Sequence, residues 1–123
     1  RAVNFSEYGL ALGRRFRAIK LWFVMRSYGR EGIAAILRNH LRWARELADD
    51  IRADGNFEVI GDTPFSLVCF RYRGSDEENR ALVERVNATG KLFLSGTLLQ
   101  GRFVIRMAIG NVATTKADLD LGW

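Results

Sequence analysis

The chain has few of the residues that build covalent or metal-centred sites. It holds one cysteine (Cys69), one histidine (His40) and one proline (Pro64) among 123 residues. A single thiol cannot make an internal disulfide or a multi-thiolate metal centre, so no metal site is expected and a reducing, cytoplasmic setting fits. One histidine excludes a His cluster, and no Ser-His-Asp constellation is apparent. No glycine-rich loop of the P-loop or dinucleotide type is present. No apolar run reaches the roughly 18 residues of a membrane span. The Leu21–Met25 cluster is short, and Arg26 follows it. The chain opens on Arg1 without a signal-peptide pattern, so it reads as an excised piece of a longer polypeptide.

What the chain does have is charge asymmetry and enough apolar residues, at 48% hydrophobic, for one modest core. Residues 1–45 hold ten Lys/Arg against Glu7 and Glu31, a balance of +8, within a total of +5. Such a third can serve nucleic acid, which makes a basic nucleic-acid-binding or interaction module the rival expectation. Here, however, Arg14, Arg15, Arg17 and Lys20 are followed closely by Leu21-Trp22-Phe23-Val24-Met25. Cations mixed with large apolar residues favour burial against an acidic partner surface over a solvated phosphate-tracking face.

The pattern predicts a helix over Arg14–Tyr28, cationic at its start, buried at its finish and closed by Gly29. Packing in a core is the expectation for Trp22, Phe23 and Met25. A second helix is expected over Glu31–Ala53, where Ile33, Leu37, Leu41, Ala44, Leu47 and Ile51 recur at helical spacing. His40 in it reads as a structural residue. Residues 57–60 are extended, a turn follows at Gly61-Asp62-Thr63-Pro64, and Ser66–Arg73 reads as a central strand in which Cys69 is buried and inert. Ser75-Asp76-Glu77-Glu78 is a capping box opening a helix that ends near Gly90. Lys91–Leu98 and Arg102–Ile109 read as strands joined around Gln100-Gly101. Thr114 or Thr115 caps a last helix. The whole is α+β, a small antiparallel sheet flanked by helices.

Gly13-Arg14-Arg15-Phe16-Arg17-Ala18-Ile19-Lys20-Leu21-Trp22-Phe23-Val24, with Arg26-Ser27-Tyr28-Gly29 after it, resembles the group II pyridoxal-phosphate (PLP) decarboxylases, which act on aromatic amino acids, tyrosine and histidine. The resemblance continues through Leu67-Val68-Cys69-Phe70-Arg71 and Phe103-Val104-Ile105-Arg106-Met107-Ala108-Ile109. It implies the C-terminal part of a fold-type I PLP enzyme. Residues 1–29 would be a connector and a helix leaving a large PLP-binding domain outside the chain. Residues 30–123 would be the small C-terminal domain.

It also implies a cytoplasmic homodimer that converts an L-amino acid, of aromatic type, to the amine and CO₂, with no nucleic-acid or membrane partner. Leu12 and Gly13 would reach the cofactor of the partner subunit, and Gly13 the substrate as well. Without a Cβ, a backbone can approach a ligand closely, although Gly13 also suits a plain turn into a helix. Structural ion pairs are expected of Arg15 and Arg17. Arg106 lies between Val104 and Ala108 on one strand face, so it either pairs with a carboxylate or faces a cleft, where a matching arginine in glutamate-specific relatives meets a substrate carboxylate. No catalytic residue is assigned within the chain. PLP chemistry needs a lysine to carry the cofactor, and none of Lys20, Lys91 and Lys116 sits in such a motif. Ala11, Tyr8 and Gly96 depart from residues common in the animal aromatic-amino-acid enzymes.

Overall fold

The computed structural model describes residues 15–123. The chain forms two compact units that divide between Ile33 and Ala34. Helix α1 (Ala18–Ala53) begins in the first, after Arg15–Arg17, so the helical start lies beyond the Arg14 expected. Gly29 breaks it at φ 64°, ψ 174°, a conformation that costs glycine little. In the first unit Leu21, Trp22, Phe23, Val24 and Met25 are all exposed, Trp22 by 55%. This corrects the expectation of core packing for Trp22, Phe23 and Met25. The apolar residues there are distributed around the helix, and no second described element of that unit opposes them.

The second unit carries the rest of α1, then β1 (Phe57–Val59), β2 (Leu67–Tyr72), α2 (Asp76–Ala88), β3 (Ser95–Leu99), β4 (Arg102–Ala108) and α3 (Lys116–Gly122). The sheet is antiparallel throughout, in the order β1-β2-β4-β3, so the expected central strand is central. The architecture is α+β, as the alternation of helical and two-residue periods predicts.

Alternation along the strands separates two faces. Val68 and Phe70 of β2 and Phe103, Ile105 and Met107 of β4 join one buried cluster. Ala44, Leu47 and Ile51 of α1, Val83 of α2 and Leu119 of α3 complete it. Each large side chain so buried contributes about 1.5–3 kcal/mol. His40 is buried on the same stripe of α1, its ring 5.8 Å from that of Trp43. The alternate strand residues, Cys69 and Arg106 among them, lie outside this cluster.

Both helix starts follow local rules. Ser75 Oγ accepts from Glu78 N at 3.1 Å, and Glu78 Oε2 accepts from Ser75 N at 2.7 Å. Thr115, rather than Thr114, closes the same kind of box with Asp118. Between β3 and β4, Gln100 at φ 52° and Gly101 at φ 78° form the two-residue turn whose twist matches a hairpin.

Strand β3 begins at Ser95, not at the expected Lys91. Asn87 of α2 occupies both backbone groups of Leu94, donating to its carbonyl at 2.9 Å and accepting from its N–H at 2.7 Å. A side-chain amide thus stands where a neighbouring strand would pair.

Candidate functional site

Leu12, Gly13 and Arg14 lie outside the described residues. Arg15 and Arg17 are exposed just before α1, and neither forms an ion pair among the described residues. Arg106 is the remaining expected site residue, and its position can be built from the register. It sits on β4 directly opposite Cys69 of β2 and Ser95 of β3. The three form one row across three strands, on the face away from the core cluster. Arg106 and Cys69 are both half-buried. That corrects the expectation of a buried cysteine: the strand is interior, but the face bearing Cys69 carries no described helix from the cluster. No carboxylate of a described residue comes within ion-pair distance of Arg106. Of the two alternatives left by the sequence, an ion pair and a cleft-facing guanidinium, the described residues supply no ion pair.

The other arginines of this face are engaged. Arg71 is buried, donating to the Gly74 carbonyl at 2.7 Å and approaching Asp76 at 3.2 Å and Glu58 at 3.8 Å. Arg102 pairs with Glu58. Nothing in the sequence pattern marked Arg71 apart from Arg106, since both lie in apolar strands. Only the acidic residues of β1 and α2, brought in by the fold, separate their roles.

The residues present do not fit PLP by themselves. Lys20 and Lys91 are exposed. Lys116 is hydrogen-bonded to Asp120, which raises its pKa above the ordinary lysine value, the reverse of what an amine nucleophile needs. A hollow of about 370 Å³ is bordered by Lys91 and Asp118, but the Asp118 carboxylate is taken up in capping α3. A larger hollow of about 520 Å³, lined by Phe57, Tyr72, Leu82, Glu78 and Arg85, contains no lysine and lies on the core side of the sheet. Among the described residues no group of three or more His, Cys, Asp or Glu could hold a metal ion. None of their helices is long and apolar enough to cross a membrane.

Among the described residues, the arrangement is a four-stranded antiparallel sheet with helices packed against one face and a guanidinium without an ionic partner on the other. Residues 2–73 match the pyridoxal-dependent decarboxylase conserved domain, and the chain belongs to that family. It is 41% identical over 128 residues to tyrosine decarboxylase 2 of Arabidopsis thaliana, covering 98% of this chain and 24% of that protein. Phenylacetaldehyde synthase of the same plant is also 41% identical, with 98% of this chain and 26% of that protein covered. The crystal structure of Oryza sativa TDC with PLP and tryptamine superposes with a TM-score of 0.81 at 36% identity, over 100% of this chain and 28% of that one. The chain thus spans about a quarter of the length of the curated relatives it matches.

Proposed function

We propose that these 123 residues are the C-terminal portion of a PLP-dependent L-amino-acid decarboxylase acting on an aromatic amino acid and releasing the amine and CO₂. The observation that carries this is the similarity over 98% of the chain to aromatic-amino-acid enzymes of about four times its length. The lysine that carries PLP lies outside these residues, so the chain by itself is inactive. Residues 1–29 form the connector and the helix leaving the large domain, and residues 30–123 the small domain. The working form is a cytoplasmic homodimer in which Leu12 and Gly13 reach the partner subunit's cofactor, with Gly13 beside the substrate ring.

Within this arrangement the chain's own residues supply walls and charge, not a reacting group. Arg106, half-buried with no carboxylate partner among the described residues, faces the cleft. There it attracts and orients an anionic group of the substrate, since Arg presents a planar fork of donors to a carboxylate. Val104, buried two residues before it on the same strand face, limits the water that competes for that charge.

The test is to assay the full-length protein with PLP against a panel of aromatic amino acids, reading CO₂, amine and aldehyde separately. Amine and CO₂ in equal amounts are expected. An aldehyde product in place of the amine, or turnover by the 123-residue chain alone, would overturn the assignment.

A further inference from the structure

The stretch 15–30 carries five cations (Arg15, Arg17, Lys20, Arg26 and Arg30) and no carboxylate. Its large apolar side chains are exposed as well, Phe16 by 73%, Leu21 by 62% and Phe23 by 59%. An apolar surface of this density is not left in water by a stable protein. The Arg26 guanidinium already lies 5.9 Å from the centre of the Trp22 ring, so charge and apolar surface form one patch.

A second copy of the same stretch would bring five cations against five. Residues 34–123 of a second copy offer twelve Lys/Arg and twelve Asp/Glu, no net attraction. The complement is an apolar surface bearing carboxylates. About three quarters of the length of the relatives lies outside this chain and is available to supply it.

We propose that residues 15–30 dock into an acidic, apolar-floored groove on the remainder of the same longer polypeptide. The proposal rests on the reading of the chain as part of such a polypeptide. Apolar contact supplies the affinity, and the carboxylates select this helix and set its register. Desolvated together, the guanidinium groups need those carboxylates, because a buried unpaired charge is strongly unfavourable.

Hydroxyl-radical footprinting read by mass spectrometry tests this, because Phe16, Trp22, Phe23, Met25 and Tyr28 are all oxidisable. In the 123-residue chain these side chains are expected to oxidise readily, and in the full-length protein to lose most of that reactivity. The Arg17→Glu/Arg26→Glu double variant of the full-length protein is expected to regain it. Equal oxidation in both proteins overturns the proposal. So does protection that survives the double charge reversal, which would mean an apolar surface without carboxylates. Protection of the 123-residue chain that rises with its own concentration points to self-association and also overturns it. Protection seen only on adding phosphatidylserine vesicles, with the full-length protein unprotected, assigns the patch to a membrane instead. Decarboxylation is measured in parallel: a protected helix in a protein that forms no amine would remove the enzyme reading and leave the docking intact.

Discussion

Asp76 holds Arg71 of β2 and Phe103 of β4 together just past the end of the backbone ladder that joins those neighbouring strands. Its Oδ2 accepts from the Phe103 backbone N–H at 3.0 Å, and its Oδ1 lies 3.2 Å from the Arg71 guanidinium. The β2–β4 ladder runs only from Leu67↔Ala108 to Phe70↔Ile105. Beyond that point the side chains of Asp76 and Arg71 replace the backbone pairing. Arg71→Leu is expected to cost about 3 kcal/mol, the low end for breaking a buried pair, because both acidic partners keep some water contact. Asp76→Asn keeps an acceptor for Phe103 and should cost only about 1 kcal/mol. Urea unfolding of both variants checks the order.

Gly96 and Phe103 form a second such pair. A Cβ at Gly96 would run into the Phe103 ring, whose centre lies 4.3 Å from the Arg80 guanidinium. Gly96→Val should therefore destabilise by about 1–3 kcal/mol through overpacking. Phe103→Leu in the same chain should recover much of that loss, and the double-mutant cycle measures the coupling. Additive effects would mean that the ring does not depend on the missing side chain.

Helix α3 should respond to pH at both extremes. The Thr115 backbone N–H, and then its hydroxyl, hold the Asp118 carboxyl below its ordinary 3.8. A depressed carboxyl stabilises the folded state above its unfolded pKa, and that contribution is lost as pH falls through the folded value. Lys116 behaves oppositely. Asp120 raises it above 10.5, so its contribution is complete below that value and disappears as pH rises through the folded pKa. Amide protection factors of residues 116–122, the exchange rates corrected for their intrinsic pH dependence, should be largest between these limits, and Asp118→Asn should abolish the acid limb alone.

Arg106→Met in the full-length protein should lower kcat/KM by about 10- to 100-fold, the equivalent of one charge-assisted hydrogen bond. The melting temperature should change little, because the side chain is half-buried and without a described ionic partner. A large drop in melting temperature with normal kinetics per folded molecule would make Arg106 structural.

Gly13→Ser in the full-length protein should shift kcat/KM away from the bulkiest aromatic substrates toward smaller or more polar ones. One such contact discriminates by about 1–3 kcal/mol. Steady-state kinetics on a panel of aromatic and imidazole amino acids, with a melting curve, checks it. Unchanged ratios with intact folding would leave Gly13 as a turn residue.

What the sequence by itself determined is what local interactions decide. Ser75 and Glu78 sit three residues apart, so that capping box follows from its own four residues, and the same local chemistry narrowed the cap of α3 to Thr114 or Thr115. Period-two alternation set the faces of β4, and Gly29 marked the break in α1, since both depend only on neighbouring backbone. The position of Arg106 on the face opposite the core was legible for the same reason.

Tertiary structure alone decided the rest. Asn87 takes up both backbone groups of Leu94, Asp76 extends the sheet beyond Phe70, and Arg71 is ion-paired while Arg106 has no ionic partner among the described residues. Each depends on residues distant in sequence or on different elements. The clearest difference is the helix start. Hydrophobicity said that Trp22, Phe23 and Met25 want burial, but burial needs an opposing surface, and the fold of these residues leaves all three in water. Periodicity reports which side chains seek a partner. Only the packed structure shows whether the chain itself supplies one.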